Sequence, residues 1–183
     1  MTAEPAPGID GIPRIRFTTE GDIARIQRIY THHVEHGAAS FELEPPSAEE
    51  MTRRFRAVLE AGYPHLVAEL GGDVLGYAYA SAYRPRPAYR TTVEDSIYVE
   101  AGAEGRGIGR ALLARLIDEC ERRGFRQMMA VIGDNVPASI ALHRSFGFRE
   151  IGVLKAVGFK HGRWCDSTLM QRALGPGDTR PPG

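Results

Sequence analysis

The sequence predicts an α+β fold with a mixed sheet, and three patterns carry that expectation. Strand-like and helix-like segments follow the order β-α-α-β-β-β-α-β-α-β-β, not the regular alternation of a parallel βαβ array. Short glycine-bearing turns join neighbouring strands at Gly71-Gly72-Asp73 and around Gly158–Gly162, so those pairs run antiparallel. A glycine-rich turn from Glu104 to Gly109 leads from a strand straight into a long amphipathic helix.

Ile15–Thr18 is a short first strand. Thr19 offers an N-cap, with Asp22 as the acidic member of a capping box. Ile23, Ile26, Ile29 or Tyr30, and Val34 recur at helical spacing to about His36, where Gly37 can stop the helix. Pro45 and Pro46 keep 40–46 extended or looped, and Ser47 with Glu50 starts a second helix to about Ala61. His65–Leu70 and Val74–Tyr83 form a hairpin. Arg84–Arg90, with two prolines, is a loop, and Thr91–Val99 is a long strand rich in β-branched residues. Ile108, Leu112, Leu113, Leu116, Ile117 and Cys120 trace the apolar face of the long helix, which Gly124 ends. Met128–Ile132 is a compact apolar strand. A last helix begins near Asn135, carries Pro137 in its first turn and ends at Gly147, with Phe148 closing the motif. Two antiparallel strands complete the domain, which spans 14–174. Residues 1–13 and 175–183 are rich in Pro and Gly and are expected to form a loose leader and tail.

A chain of 183 residues suits one core. Its 23 Lys and Arg cancel its 23 Asp and Glu, so the basic surplus of a general nucleic-acid or anionic-membrane binder is missing, and neither partner is expected. No apolar run approaches the length that spans a bilayer, and the expected compartment is the cytoplasm. Cys120 and Cys165 have no zinc or Cys-x-x-Cys spacing, and Cys120 is expected to pack in the core. His32 and His36 stand four apart, but no carboxylate or cysteine pattern completes a site, so no metal is expected.

The most informative segment is Glu104-Gly105-Arg106-Gly107-Ile108-Gly109-Arg110-Ala111. A helix N-terminus offers unpaired N–H groups and the positive end of the macrodipole, and glycines let an anion such as a pyrophosphate approach the backbone. The dinucleotide pattern Gly-x-Gly-x-x-Gly fails, because its last position is Arg110 or Leu112. The P-loop pattern fails because Arg110-Ala111 stands where Lys-Ser or Lys-Thr is needed. A glycine turn without a ligand stays open on spacing alone.

Gly107-Ile108-Gly109, flanked by arginines and followed by Ala-Leu-Leu, resembles the acetyl-CoA signature of the GNAT superfamily of N-acetyltransferases, Gln/Arg-x-x-Gly-x-Gly/Ala, with Glu104 at its first position. Asp134-Asn135-Val136-Pro137-Ala138-Ser139 and Phe146-Gly147-Phe148 are similar to a later motif of that superfamily. Four further segments resemble its phosphinothricin and methionine sulfoximine acetyltransferase branch: Ser40-Phe41-Glu42, Arg84 to Arg90, Thr92 to Val99, and Val157 to Trp164. Together they cover most of residues 15–172 in order. The resemblance implies a mixed, mostly antiparallel twisted sheet flanked by helices. It also implies an acetyltransferase with acetyl-CoA as cosubstrate and a small-molecule amine as acceptor.

Acetyl transfer needs a deprotonated amine, a polarised and positioned thioester carbonyl, and a thiolate that can leave. The resemblance implies Glu94 as general base; a surface carboxylate paired with Arg84 or Arg90 is the plainer alternative. It implies that Ile97, Tyr98 and Val99 lie along the acetyl and pantetheine arm, with Tyr98 equally readable as a core aromatic. Gly105, Arg106, Gly107, Ile108, Gly109 and Arg110 would hold the pyrophosphate, although both arginines also suit a solvated helix end. Asn135 would bond the cofactor arm or cap a helix. His143 stands where many relatives carry a tyrosine proposed as general acid; it could serve as the acid, a water could, or it is a packed histidine. Phe41, Arg84, Arg86, Tyr89, Asp95, Ser96 and Trp164, with Glu94, would form the amine site, the two arginines binding a carboxylate. Solvated arginines and core aromatics are the alternatives. A loop such as Lys160–Trp164 would reach a neighbouring subunit's site, which implies a homodimer. Two rival functions remain at this stage. One is acetylation of a protein N-terminus or lysine; the other is a non-catalytic acyl-CoA-binding module.

Overall fold

A computed structural model describes residues 11–182; residues 1–10 of the expected leader and Gly183 of the expected tail lie outside the described residues. The strands are β1 (Arg14–Phe17), β2 (His65–Leu70), β3 (Asp73–Ala82), β4 (Thr92–Val99), β5 (Gln127–Gly133), β6 (Arg149–Lys160) and β7 (Arg163–Ala173). The helices are α1 (Ile23–His36), α2 (Ala48–Glu60), α3 (Ile108–Arg122) and α4 (Pro137–Ser145). The strands form one sheet in the order β1-β2-β3-β4-β5-β7-β6. Among the described residues only β4 and β5, linked through α3, pair in parallel; every other pair is antiparallel.

The helices cover both faces. Leu112, Leu113, Leu116 and Cys120 of α3 bury against Leu66, Ala78, Val93 and Met128 of the sheet. On the other face Ile26, Ile29 and Val34 of α1 and Phe55 of α2 close over Val67 and Tyr77. The helical spacing thus matches the buried faces, and each fully buried Leu or Ile contributes about 1.5–3 kcal/mol by leaving water.

Local signals account for most boundaries. Ser47 Oγ accepts from the Glu50 N–H at 3.2 Å and starts α2. Gly147 (φ +81) follows α4, and the Phe148 N–H returns to the His143 carbonyl at 3.2 Å, as the glycine-ended helix predicts. Two boundaries differ from expectation. Glu20–Asp22 is a 3-10 turn that delays α1 to Ile23, because the Asp22 carboxylate both accepts from the Thr19 N–H and is gripped by Arg16. The β6–β7 turn is confined to His161 and Gly162 (φ +51 and +73), while Gly158 lies inside β6 opposite Cys165.

Candidate active site

Pairing between β4 and β5 stops at Asp95 opposite Ala130, yet β4 continues to Val99 and β5 to Gly133. The two strands part there like a fork. The cavity between them, about 740 Å³, is lined by 96–99 of β4 and 131–133 of β5. It continues to the turn before α3, to α4, and to the segment 39–42. Past the fork, one edge of β4 has no strand partner. A ligand arm can be laid along that edge in the manner of an added strand, with the Val99 carbonyl already engaged by His33.

The mouth of the crevice is the N-terminus of α3. Gly107 caps it at φ +78, a conformation costly for other residues, and Gly105 precedes it at φ +75. The first N–H bonded back into the helix is that of Ala111, to the Gly107 carbonyl, so the amides of Ile108, Gly109 and Arg110 have no helical partner. Such an end binds anions. Glu104 Oε2 accepts from the Gly102 N–H at 2.7 Å, so this residue tightens the turn itself. Arg110 lines the cavity, its guanidinium 5.0 Å over the Phe146 ring and 3.3 Å from Ser145 Oγ. Arg106 is exposed and does not line the cavity.

Glu94 lines the cavity half-buried and forms no ion pair among the described residues, so the surface pairing with Arg84 or Arg90 is not what the structure shows. Burial, with the neighbouring Asp95 charge, raises its pKa above the ordinary glutamate value; the more distant Arg84 charge opposes this in part. Ser96 and Ile97 also line the cavity. The Tyr98 ring packs away from it, stacked on Tyr77 at 5.2 Å and edge-on to Tyr30 at 5.0 Å, so Tyr98 is a core aromatic whose backbone runs along the crevice. The Val99 carbonyl accepts from His33 Nε2–H at 2.8 Å.

His143 and Asp95 form a buried pair, His143 Nε2 to Asp95 Oδ2 at 2.9 Å, at the apex of the fork. The other ring nitrogen, Nδ1, meets the Ser139 carbonyl at 2.7 Å. A carbonyl only accepts, so Nδ1 carries a proton. Burial pushes the His143 pKa down, but the hydrogen bond and charge of Asp95 outweigh it, and the pKa is raised. Asp95 Oδ1 is buried without a partner.

Other expected residues are not brought into the cavity. Arg84, Arg86 and Tyr89 lie exposed on the loop after β3, with Arg84 5.1 Å over the Tyr83 ring. Trp164 sits at the β6–β7 turn, 65% exposed, against Phe159. Asn135 is not the cap of α4: Val136 occupies that position, while Asn135, at φ +52, donates to Asp166 Oδ2 and accepts from Thr168 Oγ1–H. Phe41 does line the cavity. Sequence reasoning missed the Asp95–His143 pairing and the His33 contact, because both depend on where helices cross the sheet. Among the described residues no cluster of His, Cys, Asp or Glu could hold a metal, and no helix is long and apolar enough to cross a membrane.

A forked parallel pair with a glycine-opened helix at its mouth suits an extended ligand that carries an anionic group at one end. The family described as an acetyltransferase (GNAT) domain matches residues 15–169. Phosphinothricin N-acetyltransferase of Alcaligenes faecalis is 53% identical over 169 residues, covering 92% of this chain and 86% of that protein. The L-methionine sulfoximine/L-methionine sulfone acetyltransferase of Salmonella typhimurium is 42% identical over 160 residues, covering 87% and 94%. The crystal structure of a phosphinothricin acetyltransferase from Sinorhizobium meliloti, in complex with acetyl-CoA, superposes with a TM-score of 0.92 at 50% identity, covering 93% of each chain. The chain belongs to the GNAT family of acetyltransferases.

Proposed function

We propose that the protein transfers the acetyl group of acetyl-CoA to the α-amine of a small amino-acid-like substrate. The substrate is of the phosphinothricin, methionine sulfoximine or methionine sulfone type, and transfer is direct, with Glu94 as general base. One observation carries the assignment: a half-buried, unpaired carboxylate of raised pKa lines the crevice beside the fork. The kinship with acetyltransferases of those substrates supports the acceptor class.

Acetyl-CoA supplies the acetyl group as an activated thioester. The free amides at the start of α3 and the Arg110 guanidinium hold its pyrophosphate, with Arg106 adding charge from the rim. The open edge of β4 over Ser96–Val99 aligns the arm. Glu94 takes a proton from the amine as its nitrogen bonds the carbonyl carbon and the carbon–sulfur bond breaks. A thiol with an ordinary pKa of about 8.5 leaves readily as thiolate, so no protein acid is required. His143, with both ring nitrogens engaged, braces the apex of the crevice instead. Phe41 walls the amine pocket beside Ser96, and Arg84, Arg86 and Tyr89 approach the substrate's carboxylate from their loop.

A homodimer belongs to the same reading. β6 is an edge strand of twelve residues, exposed almost throughout, and Ile151, Leu154, Val157, Phe159 and Trp164 present a run of apolar side chains. Long, bare, apolar edges in native proteins are normally covered. A second copy of the chain fits that cover and would bring Trp164 to its partner's site. Use of acetyl-CoA and two free cysteines fit a cytoplasmic enzyme.

The test is CoA release from acetyl-CoA, followed with a thiol reagent, across phosphinothricin, methionine sulfoximine, methionine sulfone and short peptides. Release driven by the small amino acids is expected. Release driven by peptides alone would replace the acceptor class, and acetyl-CoA binding without any release would leave a non-catalytic module.

A further inference from the structure

The segment 37–42, of which 39–42 wall the cavity, is fastened from across the molecule by the β6–β7 hairpin. Lys160, the last residue of β6, is 3% exposed, and its Nζ donates to the Ser40 carbonyl at 2.7 Å. Burial lowers its pKa. Two residues earlier, on the same face of the strand, Gly158 leaves room for a ring: a Cβ there would lie 2.6, 2.7 and 3.1 Å from three atoms of Phe41. Gly133 does the same from β5, where a Cβ would fall 2.3 Å from the Ala38 carbonyl oxygen and 3.2 Å from the Phe41 ring. Neither glycine has a positive φ, so no backbone strain explains it. The space each leaves is filled by the wall. On the opposite side, Ser40 Oγ meets the Tyr30 hydroxyl at 2.8 Å.

We propose that Gly158 and Lys160 are positioning residues for the amine pocket. Together they set where Phe41 stands and thus how large an acceptor side chain fits beside Glu94. The proposal rests on the acetyltransferase reading above, in which this wall bounds the amine rather than the acetyl-CoA arm. Gly158 acts only through Phe41, so the effect of a methyl group at 158 depends on the ring's being present. Lys160 acts through the Ser40 carbonyl, so replacing the ammonium by an apolar chain of similar length frees the wall and leaves the α3 end intact.

Two measurements test this, and the first needs no substrate. In a denaturation cycle, Gly158→Ala lowers the folding constant about tenfold in the wild-type background but by no more than about twofold in Phe41→Ala. Equal losses in both backgrounds, or no loss in either, overturn the proposal. In the second, Gly158→Ala and Lys160→Met each raise the amine KM about tenfold while the Kd for acetyl-CoA stays within about twofold. An unchanged amine KM, or parallel loss of acetyl-CoA affinity, overturns the assignment of the wall to the amine. If the wild-type protein consumes none of the amines, the functional reading fails, and the denaturation cycle still decides whether Gly158 places Phe41.

Discussion

Neighbouring carboxylates on β4 serve different ends because alternate residues of a strand face opposite sides of the sheet. Asp95 turns toward α4 and is neutralised by His143, whereas Glu94 turns the other way and stays unpaired. Folding raises the Glu94 pKa, so the protonated form is favoured and stability is lost as pH rises through that value. Glu94→Gln should therefore raise the melting temperature at neutral pH while lowering kcat by about a hundred- to ten-thousandfold, a trade of stability for function that melting curves and CoA release would both register. The His143 pKa is also raised, and for a base the pair's contribution is present below the unfolded value of about 6.5 and is lost as pH rises through the folded one. Asp95→Asn should lower the His143 pKa in an NMR titration, and the wild-type stability advantage should shrink toward alkaline pH. Glu94 could be picked out of the sequence only through resemblance to a family. The Asp95–His143 bond spans 48 residues of sequence and could not be picked out at all.

Among the elements, the sequence is most legible where local rules act alone. The apolar stripe of α3, the Ser47 cap and the Gly71-Gly72 hairpin all appear where spacing and turn chemistry put them. Leu113→Ala, at a fully buried position of that stripe, should cost about 2–5 kcal/mol in urea denaturation, far more than any exposed α3 substitution. Side-chain contacts between elements displaced the rest. The Arg16–Asp22 pair delays α1, and the Asp166 and Thr168 bonds draw Asn135 off the α4 cap. Candidate site residues divide in the same way. The glycine turn, Arg110, Glu94, Phe41 and His143 converge on the cavity, while Arg84, Arg86, Tyr89 and Trp164 stay on exposed loops, where sequence pattern alone does not distinguish a substrate ligand from a solvated side chain.

For the molecule as a whole, the mixed sheet followed from element order, but the fork did not. β4 and β5 part beyond Asp95 and Ala130, a long-range feature that no local pattern encodes, and the parting opens the cavity. The β6–β7 hairpin joins that cavity to the exposed edge: Gly158 and Lys160 face the Phe41 wall, and Val157 and Phe159 alternate with them toward solvent. If the proposed dimer forms over this edge, replacing Phe159 and Trp164 by glutamate should shift sedimentation from dimer to monomer. Because the same hairpin holds the wall, the amine KM should rise in that variant more than the Kd for acetyl-CoA.

The most direct test of the central claim is the pH dependence of kcat/KM for the amine, followed by CoA release, in the wild type and in Glu94→Gln. General-base catalysis by Glu94 predicts a wild-type rate that falls on the acid side with an apparent pKa above that of an ordinary glutamate, and a variant that loses both most of the rate and that acid limb. A variant that keeps near-normal turnover with the acid limb intact would contradict it and place the base elsewhere in the crevice.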